Sequence, residues 1–164
     1  MVRALLYVLK IENAAMRAVV QRVTRACVRV GDRVTGEIGA GLLAFVGVGD
    51  DDDESDAQRL AGKIAELRIF RDDAGFMNRS LEQTGGAVLL VSQFTLLGDV
   101  RKGRRPSFVR AAKGAQARAL FELVGAKMAE RGLTVAYGEF GADMDVELVN
   151  AGPVTLLLDS KRQF

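Results

Sequence analysis

Leu42-Leu43-Ala44-Phe45-Val46-Gly47-Val48 is a continuous apolar run. It is far too short to span a bilayer, which takes about 20 apolar residues in a helix, and it has the length of a strand. A strand with one wet face alternates apolar and polar residues; this one does not, so it predicts a strand buried on both faces. Upstream the chain also reads as β. Ala18, Val20 and Ala26 to Val30 carry β-branched and alternating residues, and Gly31-Asp32 suits a turn into Val34 to Ile38. Downstream, Asp50 to Asp56 holds six acids in seven residues. A calcium loop would need a central glycine and a distal glutamate that are missing. Acids at a helix start favour its dipole, and Ala57, Leu60, Ala61, Ile64 and Leu67 follow at helical spacing, so a helix is predicted there. Ala87 to Leu97 is a second apolar run, broken only by Ser92-Gln93 and Thr95. Pro106 suits the first turn of a second helix, with an apolar stripe through Phe108, Val109, Ala112, Leu120, Leu123, Val124 and Met128 and a stop at Gly132. Leu133 to Tyr137, Asp143 to Val149 and Val154 to Leu158 close the chain as strand candidates. Strands with two main helices predict an α+β single domain with a mixed or largely antiparallel sheet.

The 164 residues suit one core. Cys27 is the only cysteine, which excludes an intramolecular disulfide and a thiolate zinc site and points to a reducing, cytoplasmic setting. No histidine is present, so serine–histidine and cysteine–histidine nucleophile pairs and imidazole metal sites are excluded. Any chemistry must use backbone groups, hydroxyls, amides, lysine or arginine, carboxylates, or the substrate itself. Residues 1–15 read as an extension. Ala4 to Leu9 is shorter than the 7–15 apolar residues of a secretory signal, and Met16 is the expected natural start of a domain over 16–164.

Three segments carry candidate function. Between Val100 and Phe121 lie seven basic residues and no acid: Arg101, Lys102, Arg104, Arg105, Arg110, Lys113 and Arg118. Such a patch can neutralise phosphates, or form a solvated helix face. Ser92-Gln93-Phe94-Thr95 interrupts a buried strand with polar groups, either paired inside the sheet or ending at a site. Asn150-Ala151-Gly152-Pro153-Val154-Thr155 sits between two apolar strands, where the local reading is a hairpin turn.

Taken together, these segments resemble the D-aminoacyl-tRNA deacylase family of the DTD type, from Met16 to Phe164. Met16 to Val23, Leu67-Arg68-Ile69-Phe70, Ser92 to Leu96, Arg101 to Phe108 and Asn150 to Thr155 carry the resemblance, in order. It implies a barrel-like DTD fold. It also implies hydrolysis of the ester joining a D-amino acid to the 3′-terminal adenosine of tRNA, and removal of glycine mischarged onto alanine tRNA. The enzyme would be a homodimer without metal or other cofactor, and with no membrane attachment. Gly152-Pro153 matches a cross-subunit Gly-cisPro motif that rejects L-aminoacyl-tRNA, and Arg22 matches the arginine that fixes it. Gln93, Phe94 and Thr95 match a pocket segment begun by Ser92, with Phe140 and Met144 expected in the same pocket. Arg101, Lys102, Arg104 and Arg105 are expected tRNA contacts. Ala151 replaces a common aspartate and Phe76 a usual lysine; both departures touch loop details rather than motif residues.

The missing histidine and this chemistry agree. An aminoacyl ester is already activated, so positioning and charge stabilisation can suffice. Backbone N–H groups near Phe94 and Thr95 are expected to face the oxyanion, with water and the ribose 2′-hydroxyl handling protons. Thr95 as a nucleophile would lack an activating base. A non-catalytic RNA-binding module, and an editing domain acting on L-seryl-tRNA of threonine, are the competing readings.

Overall fold

A computed structural model describes residues 15–163. In chain order the elements are β1 (Arg17–Val30), β2 (Arg33–Ile38), β3 (Gly41–Gly47), α1 (Glu54–Glu66), β4 (Phe70–Arg71), β5 (Met77–Arg79), α2 (Leu81–Thr84), β6 (Ala87–Ser92), a 3-10 turn (Phe94–Leu97), α3 (Gly114–Glu130), β7 (Thr134–Tyr137) and β8 (Asp145–Asp159). The expected extension lies outside the described residues apart from Ala15, which is buried. No helix among the described residues is long and apolar enough to cross a membrane.

The run at Leu42 decides the architecture. Leu42, Ala44 and Val46 pack in one cluster with Leu60, Ile64, Leu120 and Val124 of the helices. Leu43, one residue out of phase, faces a second cluster with Val23, Val28, Ile38, Leu89 and Val91. Alternate side chains of a strand point to opposite faces, so this strand is buried on both sides, as the missing alternation implies. The sheet runs β2-β1-β3-β6-β7, with β8 on the other side of β1. The β3–β6 and β6–β7 pairs are parallel and the pairs of β1 are antiparallel, so the sheet is mixed. It curls until its ends almost meet: a Cβ on Gly36 of β2 would lie 2.3 Å from the Tyr137 carbonyl oxygen of β7. Only glycine permits that approach. The second cluster fills the resulting barrel, and α1 and α3 cover its outside.

The acidic run starts α1 as its composition predicts. Asp53 is the N-cap, its carboxylate accepting from the Ser55 and Asp56 N–H groups, and Asp56 completes a capping box. Asp52 is buried, accepts from the Gly49 N–H and lies 3.3 Å from Lys161 Nζ. Burial pushes its carboxyl up to about 6, against the opposing pull of Gly49 and Lys161.

Two expectations fail. The second main helix does not begin at Pro106 but at Gly114. Residues 108–112 are held instead against the end of β3: the Ala112 N–H donates to the Val48 carbonyl and the Asp50 N–H to the Arg110 carbonyl. Asp99 and Ser107 exchange backbone hydrogen bonds and close the basic loop between them. Nor is Asn150 to Thr155 a hairpin turn. Both its flanks pair with the same strand in the same direction, so β8 is one strand with a bulge.

Candidate active site

A cavity of about 820 Å³ opens where β3 and β6 end, between the 3-10 turn and the start of α3. Ser92, Gln93, Phe94 and Thr95 line it, as do Phe140 and Met144, so the structure brings together all six residues assigned to a pocket from sequence. The strand β6 delivers this segment. The Gln93 N–H donates to the Val46 carbonyl, the last ladder-like bond, and the chain then turns into the 3-10 helix. Arg17 Nη1 donates to the Leu96 carbonyl at 2.9 Å and ties that turn to β1.

The first N–H groups of a helix have no partner within it. Among the described residues nothing accepts from the Phe94 or Thr95 N–H, so two donors stand open in a segment that lines the cavity. The Thr95 hydroxyl accepts from Gln93 Nε2. An amide is no base, so that contact orients the hydroxyl without activating it. The Phe94 ring is 56% exposed and meets Phe108 edge-on at 5.1 Å. Phe140 packs on Phe121 at 5.8 Å and carries the Arg118 guanidinium over its face at 5.1 Å.

Gly152 and Pro153 lie elsewhere. Opposite the two steps from Gln21 to Val23 of β1, β8 takes five steps from Asn150 to Thr155, and the excess projects as an exposed loop with Gly152 and Pro153 at its tip. Their peptide bond is cis. Asn150 clamps the loop: its Oδ1 accepts from the Val154 N–H at 2.7 Å, and its Nδ2 donates to the Val154 carbonyl at 3.1 Å. Arg22 is 8% exposed and braces it from beneath, its Nε donating to the Ala151 carbonyl at 2.8 Å and its Nη1 to the Ile69 carbonyl. Neither Gly152, Pro153 nor Arg22 reaches the cavity of its own chain. Charge-assisted hydrogen bonds are worth about 1.5–3 kcal/mol, so Arg22→Ala is expected to destabilise the fold by that order. Urea unfolding checks it; an unchanged midpoint contradicts the bracing role.

The basic loop leaves the 3-10 turn and returns at Phe108. Arg101 is held by Asp99 in a two-pronged contact of 3.0 and 2.7 Å, which keeps the Asp99 carboxyl down at about 2. Lys102, Arg104 and Arg105 are exposed on the loop, outside the cavity wall. Sequence reasoning missed Phe108, Lys113, Ala117, Phe121 and Asp143 as cavity residues. The α3 members share one face at four-residue spacing, which in sequence is indistinguishable from a core stripe.

A family model described as D-Tyr-tRNA(Tyr) deacylase matches residues 19–159. The chain is 60% identical over 149 residues to a D-aminoacyl-tRNA deacylase of Anaeromyxobacter dehalogenans (strain 2CP-C), covering 91% of this chain and 100% of that one. It is 55% identical over 148 residues to one of Thermus aquaticus, covering 90% and 97%. The solved structure of a c-Myc DNA Unwinding Element Binding Protein superposes with a TM-score of 0.81 at 37% identity, over 87% of this chain and 97% of the other. A probable eukaryotic D-amino acid tRNA deacylase shares the fold, with a TM-score of 0.77 at 19% identity, over 89% and 100%.

Proposed function

The chain belongs to the D-aminoacyl-tRNA deacylase family and is a hydrolase of aminoacyl-tRNA ester bonds, and from that premise we propose how its geometry selects and cleaves the substrate. The observation that carries the reading is the pair of open N–H donors at Phe94 and Thr95, in a cavity where the Thr95 hydroxyl is held by the Gln93 amide rather than by a base. The ester carbonyl sits against these donors. Water attacks the carbonyl carbon, negative charge develops on the carbonyl oxygen, and the fixed N–H groups stabilise it. The tetrahedral species then expels the ribose 3′-oxygen, which takes a proton relayed by the neighbouring 2′-hydroxyl. Thr95 and Gln93 order the turn rather than react.

Selection comes from a second copy of the chain. The Gly152-Pro153 tip is exposed, braced and outside the lining of its own cavity, as suits a group acting on a neighbour. Inserted into the partner's cavity, it holds the substrate ammonium through main-chain carbonyls. It then occupies the direction an L side chain would take. A D side chain points the other way, and glycine has none to reject, so glycyl-tRNA(Ala) is also a substrate. Rejection by a clash can discriminate more strongly than a missing contact. Lys102, Arg104 and Arg105 supply phosphate contacts along the tRNA, and the reaction belongs in the cytoplasm, with its aminoacyl-tRNA substrates.

Deacylation of D-Tyr-tRNA, L-Tyr-tRNA, glycyl-tRNA(Ala) and L-seryl-tRNA(Thr) tests this in one series. Cleavage of the first and third with the others spared is expected. Equal rates on D- and L-Tyr-tRNA would overturn the gate, and a preference for L-serine would favour the editing-domain reading.

A further inference from the structure

The amide donors and the braced loop leave one cation on the cavity wall without a task. Among the described lining residues Lys113 is the sole cation, set against a single carboxylate, Asp143. The seven basic residues of this region are not equivalent once folded. Arg101 is held by Asp99, Arg110 lies 3.3 Å from Asp50, and Arg118 sits on the Phe140 ring with Glu122 at 4.0 Å. Lys102, Arg104 and Arg105 stand outside the wall. Lys113 alone both lines the cavity and has no acidic partner among the described residues. Its place is fixed by the fold: it precedes the first turn of α3 in extended backbone, and Ala117 and Phe121, four and eight residues on, line the same wall.

We propose that Lys113 binds the phosphate on the 5′ side of the terminal adenosine and so positions the ester, an inference that rests on the deacylase reading. The end of an aminoacyl-tRNA presents an ester, an ammonium, a base and, across one ribose, a single phosphodiester. A lysine ammonium takes a phosphate oxygen as a compact point charge. Because it lines the same cavity as the amide donors while the basic loop stands outside the wall, it receives the last phosphate and the loop takes those further along the strand. Lys113 is thus a positioning residue, acting on where the ester lies rather than on the bond that breaks.

The test uses two small substrates, the D-tyrosyl 3′-esters of adenosine and of adenosine 5′-monophosphate, alongside D-Tyr-tRNA. The wild-type enzyme is expected to show a KM about five- to tenfold lower for the phosphorylated ester. In Lys113→Gln that preference falls to near one, and Lys113→Arg restores most of it. On D-Tyr-tRNA the dependence of log(kcat/KM) on log salt becomes shallower in Lys113→Gln by about 0.7–1. Lys102→Gln also flattens the salt dependence but keeps the preference for the phosphorylated ester, which separates the two positions. A wild-type enzyme indifferent to the 5′-phosphate, or a Lys113→Gln enzyme that keeps the wild-type preference, overturns the assignment. Failure of the wild-type enzyme on D-Tyr-tRNA itself would instead overturn the deacylase reading, and this inference with it.

Discussion

Gly152→Ala is expected to lower kcat/KM on D-aminoacyl-tRNA by about 100-fold or more, the scale on which misplacing a positioning group by an ångström acts. Gly152 has φ +149°, a conformation L residues rarely adopt. An added Cβ would lie 2.8 Å from Val154 Cγ2, 2.9 Å from Val154 N and 3.2 Å from Arg22 Nη2. Val154 N is the donor that Asn150 clamps, and Arg22 is the brace on Ala151. The methyl group therefore pushes on both supports of the loop at once. Neither support can yield without moving the carbonyls at the tip. Gly152 and Pro153 themselves are exposed and belong to neither apolar cluster, so the thermal unfolding midpoint is expected to change far less than kcat/KM. A variant with near wild-type kcat/KM would show that the tip takes no part in the reaction.

Phe94→Pro compared with Phe94→Ala isolates one of the two proposed oxyanion donors. Both variants lose the ring; only proline loses the N–H. Phe94 is the first residue of the 3-10 turn, where proline's fixed φ is tolerated, and Gln93 before it lies outside the helical region that proline disfavours, at φ −142° and ψ 78°. Relative to alanine, proline is expected to lower kcat by about 10²–10³, the usual cost of removing such a donor. Thr95→Val is expected to cost less than about tenfold, because its hydroxyl touches only the Gln93 amide. Single-turnover hydrolysis of D-Tyr-tRNA reads all three. Near-total loss in Thr95→Val with substrate binding kept would make the hydroxyl a nucleophile and displace the amides.

What could be read before folding follows from how local each signal is. Leu42 to Val48 and the acidic start of α1 were legible because burial on two faces and a helix start leave their marks within a few residues. The helix expected at Pro106 was not. Phe108, Ala111 and Ala112 have helical spacing, but their partners are the cavity and the end of β3, some sixty residues earlier in the chain. Asn150 to Thr155 carries the local grammar of a turn. Only pairing with β1 on both sides makes it a bulged strand, and no window around Gly152 contains that information. Lys113, Ala117 and Phe121 were hidden for another reason: a cavity wall uses the same apolar spacing as a core. The family resemblance supplied the pocket segment and the Gly-Pro tip, which local physics left open.

The claim on which most depends is that the Gly152-Pro153 tip of one subunit completes the cavity of another. Mixing Phe94→Pro subunits, which keep the tip, with Gly152→Ala subunits, which keep the cavity, tests it by D-Tyr-tRNA hydrolysis after subunit exchange. If the tip acts across the interface, half the dimers are mixed and each holds one intact site, so about a quarter of wild-type activity returns. If the tip serves its own chain, or no dimer forms, the mixture stays as inactive as its two components.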